Sequence, residues 1–555
     1  MHSINSTRKP VVSAQPQPIY PDGKEYIVTL AQGVDYAAFW TEMETASAAA
    51  HPVPARAVRV VNDRSLQQRI CHYALSDAEA EKLQQDPRVN SVDIPLQYKP
   101  NAWIRHHATQ AGNFNKPQNY SSTGNNINWG LPRVNSYTNI YEELSYLRLG
   151  DQGYDYTLDG TGVDVVIFDS GLEVGHPEFT DAVGKSRVQQ IDWYSESGVG
   201  GSMPAGYYTD IIGHGTHVAG IAAGKTFGWA KNASIYVLKL NDLTTDNTGL
   251  SLTDCFDVLL GWHLNKNQDP NAGPVRPTVV NMSWGSGGSY YTGVDDLTYI
   301  HGGVYRNTVW SGTGIQSDIH NEYGMGLLDA GTFPLRDGAT DVAVEALIAA
   351  GIHVVVAAGN DFIKIDMPGG PDYNNYWHDS GNYRYYYQQG SSPYSPHAII
   401  TGSTDAGVYN STTDRKAEYS NGGPGVDIYA PGTAIYSATS NVNVFAADGY
   451  SPAPYYPDNR WMQANIAGTS MAAPQIAGVA ALFLQINPHA TPAQFKEWLI
   501  YNQGSPIYTS GADNHYSNLN DTWGGDPVSA YNPLNNPVTS RVGPRQTEIN
   551  IVLPD

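Results

Sequence analysis

The sequence predicts a three-layer α/β/α domain with a mostly parallel sheet, preceded by a small α+β domain. Short runs rich in Val and Ile alternate with helical patterns through the centre of the chain, at 163–168, 233–240, 278–283, 352–358 and 398–401. Continuous apolar strands separated by helices are typical of a parallel sheet that is covered on both faces. The length of 555 residues also favours more than one domain.

The first hundred residues contain strands and helices in a different order. We predict strands at 24–30, 57–61, 68–74 and 88–94, with a helix from about Asp35 after the first of them. Apolar residues recur at helical spacing between 36 and 43, and Ser76 with Glu79 forms a capping box that opens a second helix. The resulting order, β-α-β-β-α-β, is the split ferredoxin-like pattern.

Composition and periodicity divide the chain into five parts. Residues 1–22 are polar and Pro-rich, which is typical of a flexible arm. The small α+β domain occupies 23–95, and an irregular linker rich in Asn, Gln and Pro follows at 96–127. The larger domain spans 128–504. An Asn-, Pro- and Gly-rich extension, with one predicted strand at 547–553, occupies 505–555.

Charge and hydropathy argue against several classes of partner. The chain has 31 Lys and Arg against 53 Asp and Glu, a formal net charge of −22, so most of its surface would repel a nucleic acid. Its longest apolar runs are too short to cross a membrane.

The cysteines and the N-terminus bear on the compartment of the protein. Cys71 and Cys255 fall in different predicted domains, so we predict two reduced thiols. The first 18 residues lack the apolar core of a signal peptide, so we expect no signal-dependent secretion.

Three segments carry the residue types of nucleophilic catalysis. An apolar strand ends on Asp169, one helix opens at His214 within Gly-His-Gly-Thr-His, and another opens at Ser470 within Gly-Thr-Ser-Met-Ala. A serine hydroxyl is a weak nucleophile that needs a base within hydrogen-bond reach, and an imidazole titrates near neutral pH. A carboxylate can hold that imidazole in the required tautomer. His217 lies deeper in the His214 helix, so we expect it to be a structural histidine.

These segments match the three signatures of the subtilase family, in the family's order Asp, His, Ser, and the sequence resembles that family over about 128–500. The resemblance implies the subtilase fold and a serine endopeptidase that cleaves protein or peptide substrates through an acyl-enzyme. It also implies that 23–95 is a prodomain, since that region resembles the inhibitor domain of many subtilases. We expect this prodomain to assist folding, to act as an intramolecular inhibitor and to be removed by the enzyme itself.

The same resemblance assigns further residues to the site. Asn360 follows the strand pattern at 352–358 and would donate its side-chain amide to the oxyanion, together with the backbone N–H of Ser470. Trp284 is bulkier than the aliphatic residue common at its place, so the family's substrate preferences do not transfer directly. The predicted substrate-binding residues are Ser283, Trp284, Gly285, Ala358 and Gly359.

No cofactor is required by the predicted chemistry. Related enzymes often hold structural calcium in acidic surface loops, so a calcium ion remains an alternative here. The sequence contains no contiguous ligand pattern of the EF-hand kind. We therefore assign no residue to a metal.

Two insertions, at 286–333 and 361–396, depart from a minimal subtilase and are rich in tyrosine. Loops that follow parallel strands emerge at the edge where active sites form, so we expect both insertions to border the cleft. Their aromatic residues suit an interface with an assembly partner or the walls of a substrate site. The alternative is that the insertions pack on themselves and only cover the sheet edge. The competing hypothesis is a structural or binding component of a larger assembly such as a virus particle, active or not. The predicted location is accordingly either export without a signal peptide or carriage in a virion.

Overall fold

The computed structural model divides the chain into two compact units, Met1–Ile104 and Arg105–Asp555. Almost all of the predicted arm, much of the linker, the strand at 547–553 and nearly all of the C-terminal extension lie outside the described residues, so the predicted boundaries remain predictions. The structure describes residues 19–31, 33–45, 56–62, 69–94, 108–116, 126–136, 139–141, 153–241, 248–266, 275–289, 300–310, 324, 332–379, 384–405, 414–442, 452–504 and 507.

The N-terminal unit is an antiparallel sheet with two helices, in the order β1-β2-β4-β3 with β5 beside β2. From β2 onward the elements follow the predicted β-α-β-β-α-β order. The two-residue strand β1 is too short to leave a pattern in the sequence. The elements are β1 (Ile19–Tyr20), β2 (Gly23–Leu30), α1 (Tyr36–Glu44), β3 (Arg59–Asn62), β4 (Ile70–Leu75), α2 (Asp77–Gln84) and β5 (Val89–Asp93).

Side-chain caps explain where the two helices of this unit begin. Asp35 Oδ1 accepts a hydrogen bond from Ala38 N at 3.0 Å and so caps α1. The capping box of α2 forms as predicted, since Ser76 Oγ accepts from Glu79 N and Glu79 Oε2 accepts from Ser76 N. One face of α1 is buried in the unit's own hydrophobic core through Phe39, Trp40 and Met43.

The larger unit contains eighteen described strands and seven described α-helices. Its strands are β6 (Ala108–Gln110), β7 (Tyr154–Tyr156), β8 (Asp164–Asp169), β9 (Val188–Gln189), β10 (Ser234–Lys239), β11 (Thr278–Met282), β12 (Gly287–Ser289), β13 (Ile300–Tyr305), β14 (Thr308–Trp310), β15 (Thr332–Pro334), β16 (His353–Ala357), β17 (Tyr376–Asp379), β18 (Arg384–Tyr385), β19 (Ile399–Thr404), β20 (Ile428–Pro431), β21 (Ile435–Thr439), β22 (Ala453–Pro454) and β23 (Met462–Ile466). Its helices are α3 (Gly130–Val134), α4 (Trp193–Ser197), α5 (His214–Ala223), α6 (Leu252–Lys266), α7 (Gly338–Ala349), α8 (Thr469–Ile486) and α9 (Pro492–Tyr501).

Seven of these strands form a parallel sheet in the order β20-β19-β16-β11-β8-β10-β9. Five of them coincide with the apolar runs in the sequence, which confirms the predicted three-layer α/β/α fold. β8 lies between β11 and β10, with Phe168 opposite Met282 on one side and Leu238 on the other. The middle of the sheet therefore carries the strand that ends on Asp169.

Successive residues of β8 enter two different hydrophobic cores. Val165 and Ile167 pack in the core that includes α5 and α8, whereas Val166 and Phe168 pack in the core that includes α6 and α7. Alternation along a strand produces this division, because neighbouring side chains point to opposite faces of a sheet. Full burial of each such side chain contributes about 1.5–3 kcal/mol, so both faces of the sheet stabilise the domain.

Helix α8 runs through the core of the larger unit. It is long and apolar enough to cross a membrane by length and composition, but 89% of its 18-residue window is buried inside the protein. Burial on this scale is typical of a core helix. Its N-terminal turn carries Ser470.

The two insertions form small antiparallel sheets of their own. β12 pairs with β15, and β13, β14, β17 and β18 form a four-stranded sheet. Trp377, Tyr385 and Tyr387 are buried, and the ring of Tyr385 lies 4.8 Å from that of Phe333, centroid to centroid. These aromatic side chains pack within the insertions themselves, and an assembly partner for the insertions remains a prediction.

Candidate active site

Five parts of the chain meet at the carboxyl edge of the parallel sheet. β8 ends on Asp169, β11 runs beside β8 and leads into Ser283, and β16 runs along the other side of β11 and leads towards Asn360. The N-terminal turns of α5 and α8 bring His214 and Ser470. Parallel strands place their carboxyl ends at one edge, so residues separated by up to 301 positions, from Asp169 to Ser470, share one site.

Asp169 and His214 form a direct hydrogen bond. Asp169 is 5% exposed, and its Oδ1 accepts from His214 Nδ1 at 2.8 Å and from Ser170 N at 2.7 Å. An ionised carboxylate only accepts hydrogen bonds, so this contact places a proton on Nδ1 and leaves Nε2 as the basic nitrogen. This is the tautomer that a general base needs.

The electrostatic surroundings of His214 favour its protonated form. Burial lowers the pKa of the imidazole, but the charge of Asp169 and its hydrogen bond, together with the charge of Asp210, raise the pKa above its ordinary value. The site can therefore stabilise the imidazolium that forms when His214 accepts a proton.

Ser470 is hydrogen-bonded to the loop that follows β11. Its Oγ donates to the carbonyl oxygen of Ser283 at 3.0 Å, and Ser283 Oγ donates to the carbonyl oxygen of Ser470 at 3.0 Å. Met282, the residue before Ser283, lies opposite Phe168, the residue before Asp169. These contacts hold the hydroxyl of Ser470 beside the strand end that carries Asp169.

Asn360 is oriented by Thr469, the residue before Ser470. The Asn360 Oδ1 accepts from Thr469 N at 2.8 Å and from Thr469 Oγ1 at 2.9 Å. Since the oxygen of the amide is occupied, its Nδ2 donor faces away from Thr469 and is available to another acceptor. Thr469 Oγ1 in turn accepts from Gly359 N at 3.1 Å, which ties the strand end to the start of α8.

A pocket of about 240 Å³ adjoins Ser470. It contains the predicted Ser283, Trp284, Gly285 and Gly359, and also residues of both insertions, so the insertions border the site as expected. Ala358 does not line it, because its side chain is buried in the core while the neighbouring Ala357 faces the pocket. The pocket is lined by Ser283, Trp284, Gly285, Ser286, Gly287, Phe333, Pro334, Ala357, Gly359, Asn360, Asp361, Ser391, Thr469 and Ser470.

Trp284 connects this pocket to β8. Its indole Nε1 donates to the carbonyl oxygen of Phe168 at 2.9 Å, and the two rings lie 5.2 Å apart, edge to face. The bulky side chain is therefore accommodated against the strand that ends on Asp169.

His217 is a structural histidine, as predicted. It is fully buried, and its Nε2 lies 3.1 Å from the carbonyl oxygens of both Ile435 and Ala464. Burial lowers its pKa to about 3, so the ring stays neutral and fixes α5 against β21 and β23.

Sequence reasoning missed the contacts of Thr469, Ser170 and Asp210. Thr469 and Ser170 stand next to catalytic candidates, and that adjacency was the only signal. Asp210 lies in a loop without a pattern, and its role depends on contacts that a sequence does not display. Among the described residues no group of three His, Cys, Asp or Glu side chains is arranged to hold a metal ion.

A parallel sheet whose carboxyl edge carries an aspartate bonded to a histidine, together with a serine at a helix N-terminus, is typical of serine hydrolases. The model of the "Subtilase family" matches residues 160–524. The chain belongs to the subtilase family of subtilisin-like serine endopeptidases.

Individual relatives agree with this assignment. The chain is 28% identical over 443 residues to the "Extracellular serine proteinase" of Thermus sp. (strain Rt41A), covering 80% of this chain and 72% of that protein. It is 27% identical to the "Subtilase-type proteinase psp3" of Schizosaccharomyces pombe and 25% identical to the "Alkaline serine exoprotease A" of Vibrio alginolyticus, covering 67% and 77% of this chain. The chain spans only 57% and 53% of the length of those two proteins.

A solved structure is also similar. The crystal structure of a cold adapted subtilisin-like serine proteinase has a TM-score of 0.43 and 24% sequence identity to this chain. The match covers 73% of this chain and 98% of that one.

The relatives correct the predicted location. Export without a signal peptide, or carriage in a virion, was expected because the first 18 residues lack an apolar core, the loops are rich in Asn and Tyr, and the C-terminal extension is polar. That expectation is wrong, since the relative that matches 80% of the chain is named an extracellular proteinase. The composition of the first residues was too weak a basis for it.

Proposed function

We propose that the chain hydrolyses peptide bonds with Asp169, His214 and Ser470 as its catalytic triad. The single observation that carries the proposal is the hydrogen bond of 2.8 Å between Asp169 and His214, at the sheet edge where the first turn of α8 carries Ser470. Ser470 attacks the scissile carbonyl carbon, and His214 Nε2 accepts the hydroxyl proton. His214 then gives this proton to the leaving amine, and water releases the acyl group by the same steps.

The oxyanion of each tetrahedral intermediate has two donors in this proposal. One is Nδ2 of Asn360, which is turned away from Thr469 by the bonds at Oδ1. The other is the backbone N–H of Ser470, which lies in the first turn of α8 and has no partner within the helix. Both donors are fixed before the reaction, so they need no reorganisation as charge develops.

The pocket beside Ser470 would receive a side chain of the substrate. Ser283, Trp284 and Gly285 follow β11 and offer backbone groups to an extended peptide, which is a general way to bind substrates of varied sequence. The name of the Thermus relative supports an extracellular place of action.

Labelling with a fluorophosphonate tests the proposal directly. We expect the mature protein to gain one covalent label, on Ser470, because the reagent reacts only with an activated serine. The Ser470→Ala variant is expected to gain none, while the matched variant Ser289→Ala, which changes a serine of β12, is expected to be labelled like the wild type. Intact-mass spectrometry and peptide mapping locate the label. An unlabelled wild type, or a label on another serine, would refute the proposed triad.

We also infer that the N-terminal unit is a prodomain removed by the enzyme itself. Its β-α-β-β-α-β fold resembles that of subtilase inhibitor domains, and it precedes the catalytic part. In that family the C-terminal tail of the inhibitor domain lies in the cleft until it is cut, and we expect the corresponding tail at about 95–107, which lies outside the described residues.

Self-processing predicts different masses for two forms of the protein. Purified wild type should lose roughly the first hundred residues, whereas Ser470→Ala should keep its full length, because the cut requires the nucleophile. Intact-mass spectrometry over a time course measures both. Adding active wild type to Ser470→Ala separates cutting within a chain from cutting between chains. If both proteins keep their full length, self-processing does not occur.

A further inference from the structure

Asp210 lies four residues before His214 and is almost fully buried, at 3% exposure. Its Oδ1 accepts from Ser170 Oγ at 3.0 Å, from Gly213 N at 2.8 Å and from Ile212 N at 3.2 Å. Its Oδ2 accepts from the backbone N of Thr216 at 2.9 Å and from Thr216 Oγ1 at 2.5 Å. Such a carboxylate, with five donors in two directions, is rigidly held.

Asp210 takes the place of a local cap for α5. The N-cap residue of this helix is Gly213, which has no side chain to satisfy the free N–H groups. Asp210 accepts the N–H of Thr216, and Ser170 Oγ accepts the N–H of Gly215 at 2.9 Å. The helix that carries His214 is therefore capped from outside, by Asp210 and by the residue that follows Asp169.

Ser170 connects this cap to the catalytic aspartate. Its backbone N donates to Asp169 Oδ1, the same oxygen that accepts from His214, while its hydroxyl donates to Asp210. A shift of Asp210 would thus move both Ser170 and the start of α5. Asp169 is the last residue of β8 and His214 is the first residue of α5. The distance between them therefore depends on the positions of the end of β8, next to Ser170, and of the start of α5.

Few other charges act on His214. Asp169 and Asp210 raise its pKa, whereas burial lowers it. α8 and β21 pack against α5 without contributing Asp, Glu, Lys, Arg or His residues. Within α5, burial keeps His217 neutral.

The remaining titratable groups near α5 are engaged elsewhere. Glu173 lies near Asp210, and its carboxylate accepts a hydrogen bond from the backbone N–H of Asn441. His176 and Glu178 flank the far end of α5, where Glu178 accepts from Thr226 N and Phe227 N beyond the last residue of the helix. Among the residues that the structure describes, Asp210 is therefore the second negative charge, after Asp169, that acts on the His214 imidazole.

We propose that Asp210 is a positioning residue of the active site, which holds Asp169 and His214 in place through Ser170 and the N-terminus of α5 and adds a negative charge that stabilises the imidazolium. This inference rests on the proposed function, because it assigns Asp210 a part in the same reaction. We propose no contact between Asp210 and the substrate.

The test compares Asp210→Asn and Ser170→Ala with the wild type, in mature enzyme whose active fraction is measured by fluorophosphonate titration. Asp337→Asn is the matched control, because Asp337 caps α7 by accepting from Thr340 N at 3.0 Å, and lies on another helix. The readouts are kcat and KM for a peptide substrate and the acidic limb of kcat/KM between pH 5 and 9, which reports the free enzyme.

Asp210→Asn should lower the plateau of kcat/KM about 10²-fold, because the triad loses its alignment. It should also move the acidic limb to lower pH by about 0.5–1 unit, because loss of the negative charge lowers the pKa of His214. Ser170→Ala keeps that charge, so its limb should stay in place while kcat falls about three- to tenfold at unchanged KM, the equivalent of one hydrogen bond. Asp337→Asn should have the kcat of the wild type, and the acidic limb of its kcat/KM profile should lie at the same pH.

The outcomes separate this inference from the proposed function. If the acidic limb of the kcat/KM profile lies at the same pH for Asp210→Asn and for the wild type, Asp210 does not act on His214 through its charge. If Ser170→Ala retains the full kcat, the network through Ser170 does not position the triad. If Asp210→Asn does not fold, the kcat of Ser170→Ala still decides whether the network positions the triad. A wild type that is not labelled at all contradicts the proposed function instead.

Discussion

Replacing His214 with alanine is expected to lower kcat about 10⁶-fold, and replacing Asp169 with alanine about 10⁴-fold; these magnitudes are known from subtilisin itself. His214 moves the proton in both halves of the reaction, so without it Ser470 has no base. Asp169 orients the ring through the bond of 2.8 Å and stabilises the imidazolium, and an enzyme without it keeps a misaligned base. Hydrolysis of a chromogenic peptide, normalised to protein concentration after removal of the N-terminal unit, measures both losses.

The double variant and a matched histidine provide the controls. Because the triad acts as a unit, His214→Ala combined with Asp169→Ala should be no slower than His214→Ala alone. His397→Ala changes an exposed histidine whose side chain is 67% exposed and paired with Glu345, and should leave kcat unchanged. Losses that multiply in the double variant, or a His214→Ala enzyme that retains more than about 1% of wild-type kcat, would be inconsistent with a shared catalytic unit.

Asn360→Ala is expected to lower kcat about 10²–10³-fold with little change in KM, the magnitude known for the corresponding donor in subtilisin. The physical reason is that Nδ2 is a preorganised donor whose strongest bond forms only when the carbonyl oxygen becomes charged. A donor that acts in the transition state alone affects kcat and leaves substrate binding nearly intact. Steady-state kinetics with the same chromogenic peptide separates the two constants.

Asn360→Asp distinguishes loss of the donor from loss of local structure. An aspartate keeps an oxygen for Thr469 N and Thr469 Oγ1 but replaces Nδ2 with an acceptor that repels the oxyanion. It should therefore be at least as slow as Asn360→Ala while retaining its fold by circular dichroism. If Asn360→Asp were faster than Asn360→Ala, or if the loss appeared in KM alone, Asn360 would not be an oxyanion donor.

Some parts of the fold could be predicted because the pattern is local. The apolar runs that became β8, β10, β11, β16 and β19 are continuous, since both faces of a parallel sheet are buried. β9 and β20 have two and four residues, too few to display a period. The sequence also could not show which of two adjacent alanines faces the pocket. Ala357 ends β16 and Ala358 follows it, and only the direction of each side chain in the folded strand places Ala357 at the pocket and Ala358 in the core.

By itself, the sequence determined the parallel sheet, the β-α-β-β-α-β unit and the identity of the residues proposed for the triad. Each depends on residue type and on spacing within one segment. Only the tertiary structure decided that Thr469 turns the amide of Asn360, that Ala357 rather than Ala358 lines the pocket, and that Asp210 and Ser170 cap α5. These contacts join distant segments, or loops without a period, and depend on side-chain directions that appear only once the strands and helices have packed together.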